Sequence, residues 1–282
     1  MATFTNKATL TYSGRTTESN TVTGTLPETM TVNKQPLTNT YTANETVTYV
    51  VTLLNNGTAA QNGLTVTDDL GAYETVAGTT VYPLTYVGGT LTYYANGVLQ
   101  PTPTILAAQP LTVDGLSVPA GGNGVLIYQA TANSFAPLDA GGSILNTVTL
   151  QSTVGEVDTA TATVTAETDA QLSIAKSLSP TTVPEGGSIT YTFQILNTGN
   201  VAAIATDNVT VTDLFQPILN DITVTLNGAL LEEGTGYTYD QTTGQFSTVP
   251  GVITVPAATY VLGEDGYTVT PGSAVLTVTG TV

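Results

Sequence analysis

The chain has 282 residues, enough for two domains of ordinary size that each bury a core. Its 4 Lys and Arg against 21 Asp and Glu give a net charge of −17, which argues against nucleic acid, whose phosphates need a basic face, and against an anionic membrane surface. Without Cys or His there is no disulfide, thiolate or imidazole chemistry to invoke, and no cofactor or metal is expected.

Thr and Val dominate, Gly and Pro are frequent, and charged helix formers are scarce. That composition predicts an all-β chain. No run approaches the roughly 20 apolar residues of a membrane span, so no membrane insertion is expected. In chain order, the first segment is residues 1–28. Met1 to Lys7 lacks the apolar stretch of a secretory signal. Phe4 to Thr11, a turn at Ser13-Gly14, and Ser19 to Thr23 read as a β-hairpin with Phe4, Ala8, Leu10 and Val22 as its core-seeking residues.

Residues 29–168 and 169–282 are two copies of one domain. Lys34, Val47-Thr48-Tyr49, Asn55-Asn56-Gly57 and the Leu64 to Asp68 run return as Lys176, Ile189-Thr190-Tyr191, Asn197-Thr198-Gly199 and the Val209 to Asp213 run. The two lysines stand 142 residues apart and the two aspartates 145. Short alternating runs divided by Asn-Gly, Gly-Gly and Pro turns predict tandem Ig-like β-sandwiches, with hairpin turns at Asn96-Gly97 and Asn227-Gly228.

The copies end differently. The first continues through Ile144 to Leu150, a turn near Gly155, and Thr159 to Val164; the second stops at its counterpart of the Val125 strand. The absent hairpin is repeated at the start of the chain, where Asn6 falls on Asn146, and Glu28-Thr29 leads into Lys34 much as Glu167-Thr168 leads into Lys176. A sandwich without its closing strands exposes core and edges, and a lone hairpin is marginal. The sequence therefore predicts donor-strand insertion of residues 1–28 into domain 2 of a neighbour. That contact is head-to-tail and non-closing, so it makes a homopolymeric filament. A monomeric surface adhesin or binding module is the alternative.

Lys34 and Lys176, in a chain with few cations, each recur with an aspartate (Asp68, Asp213) and an asparagine opening the closing hairpin (Asn146, Asn6). Together with Tyr-Thr, Asn-Thr-Gly, Val-Thr-Asp and Asn-Thr-Val-Thr, this resembles the bacterial and archaeal surface-repeat family catalogued as domain of unknown function eleven, over nearly the whole chain. The trios are similar to those of collagen-adhesin-type pilin domains. The resemblance implies an intramolecular Lys34–Asn146 isopeptide bond assisted by Asp68 and an intermolecular Lys176–Asn6 bond assisted by Asp213. Burial would supply the neutral amine and the protonated carboxyl such a bond requires. Asp69, Asn20 and Asn33 are the competing residues at these positions. Beyond autocatalysis no enzyme is expected, and the site expected is extracellular, on a cell or spore surface and reached by lysis of a sporulating cell.

Overall fold

The computed structural model describes residues 2–26, 30–153 and 155–282; the Glu28-Thr29 exit and the expected boundary between residues 28 and 29 lie outside them. The described residues form β-strands joined by turns, with a single 3-10 turn at Ala205–Asp207. The fold class is all-β, as the composition predicts. Two compact units result: residues 1–136 with 143–165, and residues 137–142 with 166–282.

In domain 1, one sheet orders the strands Val98–Leu99, Thr92–Ala95, Asn123–Ala132, Thr46–Asn55 and Met30–Pro36. The facing sheet orders Thr104–Ala108, Leu111–Val118, Gln61–Asp68, Ser143–Ser152, Gly155–Ala166 and Thr40–Tyr41. Alternation along each strand sends every second residue inward. Thr46–Asn55 thus buries Val47, Tyr49, Val51 and Leu53, while the intervening residues face outward or the sheet edge. The Asn96-Gly97 turn has both residues at positive φ, 47° and 78°, the geometry a two-residue hairpin needs.

In domain 2, Leu172–Ser179, Ser188–Asn197, Gly272–Thr281, Asn220–Leu226 and Ala229–Leu231 rebuild the first sheet. The facing sheet is reduced to Thr212–Leu214, Gln245–Thr248 and Tyr237–Asp240. The Val209 to Asp213 run predicted as a strand is extended in the ladder only from Thr212. Its domain 1 counterpart Gln61–Asp68 pairs on both sides, with Leu111–Val118 and with Ser143–Ser152. Among the described residues, Thr212–Leu214 pairs only with Gln245–Thr248. A backbone with one ladder partner instead of two has less to hold it in strand geometry.

The N-terminal segment folds as a long hairpin. Ala2–Asn6 pairs with Val22–Leu26, and Thr9–Tyr12 pairs with Arg15–Glu18 across a turn with positive φ at Ser13 and Gly14. Asn6 lies opposite Val22, and Asn146 lies opposite Ala162, so the two segments share one register at this point. Nearer the tip they differ by one residue. Thr9 faces Glu18 where Thr149 faces Thr159, because the arm takes its irregularity at Ser19-Asn20 and domain 1 takes its own beyond Leu150.

Candidate functional site

The domain 1 cluster is assembled by three strands. Met30–Pro36 alternates so that Met30, Val32 and Lys34 point inward. Gln61–Asp68 turns Asp68 inward at its end, and Ser143–Ser152 does the same with Ile144, Asn146 and Val148. Lys34, Asp68 and Asn146 are all buried. The Lys34 ammonium is paired to Asp68 Oδ2, and the same oxygen accepts the Tyr128 hydroxyl. Asp68 Oδ1 accepts the Leu70 N–H at 2.9 Å. Asp69, its neighbour, turns to the other side and accepts the Gly71 and Thr147 N–H groups, each at 2.8 Å. Of the competing asparagines, Asn20 and Asn33 are exposed.

Desolvation is the larger influence on Lys34 and lowers its pKa from the usual 10.5, although Asp68 and Asp69 pull it up. An ammonium in this position gives up its proton more readily than one in water, which is the first requirement of an amine nucleophile. Lys34 Nζ lies 4.8 Å from the centroid of the Tyr49 ring. Among the described residues, four buried side-chain polar atoms lack a hydrogen-bond partner, and three of them are Tyr49 Oη and the Asn146 Oδ1 and Nδ2. Each such orphan costs about 1–3 kcal/mol, so three in one core call for a chemical reason.

The same position in domain 2 is open. Lys176 is paired to Asp213 Oδ2, but its side chain is 41% exposed against 0% for Lys34. Tyr191, Phe193 and Phe215 surround the ammonium, with ring centroids at 4.5, 5.5 and 5.5 Å. A groove of about 360 Å³ runs beside it, bounded by Ile174, Phe193, Val211, Thr212 and Asp213. The lysine strand itself reports the difference. Every residue of Leu172–Ser179 is exposed, whereas Met30–Pro36 hides alternate residues beneath Ser143–Ser152.

On the arm, Asn6 is exposed, as are Phe4, Ala8, Leu10 and Val22; Phe4, Leu10 and Val22 are each more than half accessible. The Phe4 ring lies over Gly24, where an added Cβ would come within 2.3 Å of it. Ile144 and Val164, their counterparts in domain 1, are fully buried. Lys7 is paired with Glu18 at 2.5 Å. The structure thus brings Lys34 and Asp68 into contact and Asn146 into the same core. It brings Lys176 to Asp213, and it leaves Asn6 in solvent.

Sequence reasoning missed Tyr49 and Tyr128 as members of the cluster. Both sit at inward positions of alternating strands, and a tyrosine there reads as packing. The stacking of the two rings, 5.8 Å apart, is that packing; the destination of the hydroxyls is invisible without the register.

No protein-family model matches this chain and no curated protein matches it, so the resemblance to the surface-repeat family rests on the motifs alone. Similar solved structures exist at low identity. The C-terminal domain of the Streptococcus agalactiae AgI/II polypeptide BspA is 13% identical over 89% of this chain and 91% of its own, with a TM-score of 0.30. A collagen-binding domain of a Staphylococcus aureus adhesin is 12% identical over 50% and 99%, with a TM-score of 0.30. The pilus backbone protein RrgB of Streptococcus pneumoniae is 12% identical over 86% and 55%, with a TM-score of 0.34. At these identities and scores the likenesses carry nothing about function.

Proposed function

We propose that the chain is the structural subunit of a self-assembling filament, displayed outside the cell or on a spore surface. The arm of one copy enters domain 2 of the next and takes the place that Ser143–Ser152 and Gly155–Ala166 occupy in domain 1. The supporting observation is the open lysine groove of domain 2, at the position the closing hairpin covers in domain 1. The pairing of Val148 with Asp68 and Leu150 with Val66 translates, through the repeat, into Ala8 beside Asp213 and Leu10 beside Val211. Phe4 and Val22 then enter the acceptor core, and Asn6 comes to Lys176. Burying the Phe4 and Leu10 side chains stabilises the contact by about 1.5–3 kcal/mol each before ordering costs.

Insertion also desolvates Lys176, the condition that Lys34 already meets. The amine of Lys176 and the carboxamide of Asn6 then join with loss of ammonia, as Lys34 and Asn146 do within domain 1, and Asp213 and Asp68 carry the protons. A fibre sealed in this way needs no disulfide.

Deleting residues 2–26 tests the reading. By negative-stain microscopy and sizing, the full chain is expected to form long filaments and the truncated chain a 28.9 kDa chain's shortened monomer. Long fibres from the truncated chain, or a monomeric full chain of the kind expected of a simple adhesin, would overturn it.

A further inference from the structure

The orphaned hydroxyl at the centre of domain 1 has a chemical task available to it. Asp68 is already occupied, since Oδ2 takes both the Lys34 ammonium and the Tyr128 hydroxyl and Oδ1 takes the Leu70 N–H. Three groups thus already bond to its two oxygens. The Asn146 carboxamide, whose carbonyl must carry negative charge when an amine adds to it, receives no hydrogen bond. The Tyr49 hydroxyl lies near that amide and, like it, is buried without a hydrogen-bond partner. The ring of the same residue stands beside the Lys34 ammonium.

We infer that Tyr49 is a catalytic residue of the Lys34–Asn146 bond: its hydroxyl donates to Asn146 Oδ1 as charge develops there, and Tyr191 does the same for Asn6 of a second copy at Lys176. The inference rests on the covalent reading above. Burial pushes the Tyr49 pKa up, so the hydroxyl keeps its proton and acts as a donor. The two-domain comparison selects this tyrosine over its neighbour. Tyr49 lies two residues from Val51, the cross-strand partner of Lys34, and Tyr191 lies two residues from Phe193, the partner of Lys176. Tyr128, across from Tyr49, is replaced by Val278 across from Tyr191. Both domains keep the tyrosine whose ring lies against the lysine ammonium.

The Lys34 ammonium passes a proton to Asp68, and the neutral amine adds to Asn146 Cγ, forming the C–N bond and an oxyanion at Oδ1 held by Tyr49. Asp68 delivers its proton to Nδ2 and takes one from the former lysine nitrogen. The Cγ–Nδ2 bond then breaks, and ammonia leaves as the carbonyl reforms. Tyr49 ends with the proton it began with.

The test is a pulse of synthesis of the full chain, sampled by intact and peptide mass spectrometry for the loss of one ammonia per bond. Removing one preorganised donor to an oxyanion slows such a step about 10²–10³-fold. Y49F is expected to slow the domain 1 bond to that extent and leave the multimer ladder alone; Y191F is expected to slow the ladder and leave domain 1 alone. Y128F, which removes an equally buried hydroxyl, is expected to leave the domain 1 bond faster than Y49F does. Bond formation at the wild-type rate in Y49F or in Y191F overturns the inference. Should Y49F not fold, the Y191F arm decides it alone. If the wild-type chain itself loses no ammonia, the covalent reading fails, and that result is distinct from a fast Y49F.

Discussion

Lys34 and Lys176 occupy one position in a repeated domain and sit in opposite surroundings. Each is ion-paired to the aspartate of the equivalent strand, and each lies against the tyrosine of the same strand pair. One is sealed in a core, and the other stands beside an open groove. The local sequence does not make this difference; two strands do. Where Ser143–Ser152 and Gly155–Ala166 are present, Lys34 is desolvated. In domain 2, where no such strands cover the sheet among the described residues, Leu172–Ser179 is exposed along its length. The burial of Lys34 is thus set by a hairpin more than a hundred residues away in the chain, and on the proposed reading a second copy supplies the equivalent hairpin to domain 2.

The comparison is broken most completely by removing the proposed intermolecular pair. Asn6→Ala and Lys176→Ala are each expected to abolish the ladder of multimers that survives boiling in detergent, while Asn146→Ala leaves the ladder and removes only the bond within domain 1. Co-assembly of isotopically labelled and unlabelled chains sharpens this, since Lys176 peptides joined to Asn6 peptides of the other label arise only between molecules.

Next come the aspartates. In an Asn146→Ala background, where no bond forms in domain 1, Asp68→Ala leaves the Lys34 charge buried without its partner and is expected to cost about 3–5 kcal/mol in denaturant unfolding. Asp213→Ala in the free subunit removes a pair that water already reaches, and is expected to cost no more than about 1 kcal/mol. Equal losses would mean that the two sites are not differently buried in solution.

Phe4→Ala comes third. Phe4 is half exposed in the free chain, so the subunit's own stability is expected to stay the same. Docking loses a buried anchor and is expected to weaken about tenfold to a hundredfold, read as a rise in the critical concentration for filaments.

The smallest effect is in pH. Burial lowers the Lys34 pKa below 10.5, so in the window beneath that value the unfolded chain holds more protons than the folded one, and stability rises with pH. Domain 1 of Asn146→Ala is expected to gain stability from neutral pH toward 10.5 relative to the Lys34→Met/Asn146→Ala double variant. In the bonded protein the lysine is an amide and the gain is absent.

Much of this was legible in the sequence because the repeat carries its own control. The offset between Lys34 and Lys176, and between Asn6 and Asn146, marks equivalent positions without any structure. The alternation of Met30–Pro36 and Ser143–Ser152 then tells which residues face inward. Less was legible where a residue's role depends on a partner across the sandwich. Nothing in the residues around Tyr49 marks its hydroxyl as unpartnered; Asp68 is taken by Tyr128, whose place in the second repeat is held by Val278. The shortened ladder at Thr212–Leu214 was hidden for a related reason. Val209 to Asp213 has a strand's composition, but composition does not provide the neighbouring strand that would hold it extended. The displaced irregularity of the arm at Ser19-Asn20 likewise depends on backbone pairing, which side-chain pattern does not encode.

The central claim is that one molecule's arm completes the next molecule's second domain. An electron cryomicroscopy map of the filament tests it most directly. The account predicts Phe4 and Leu10 within domain 2 of the adjacent subunit, with Asn6 against Lys176; finding those side chains in solvent, or within domain 2 of their own chain, would contradict it.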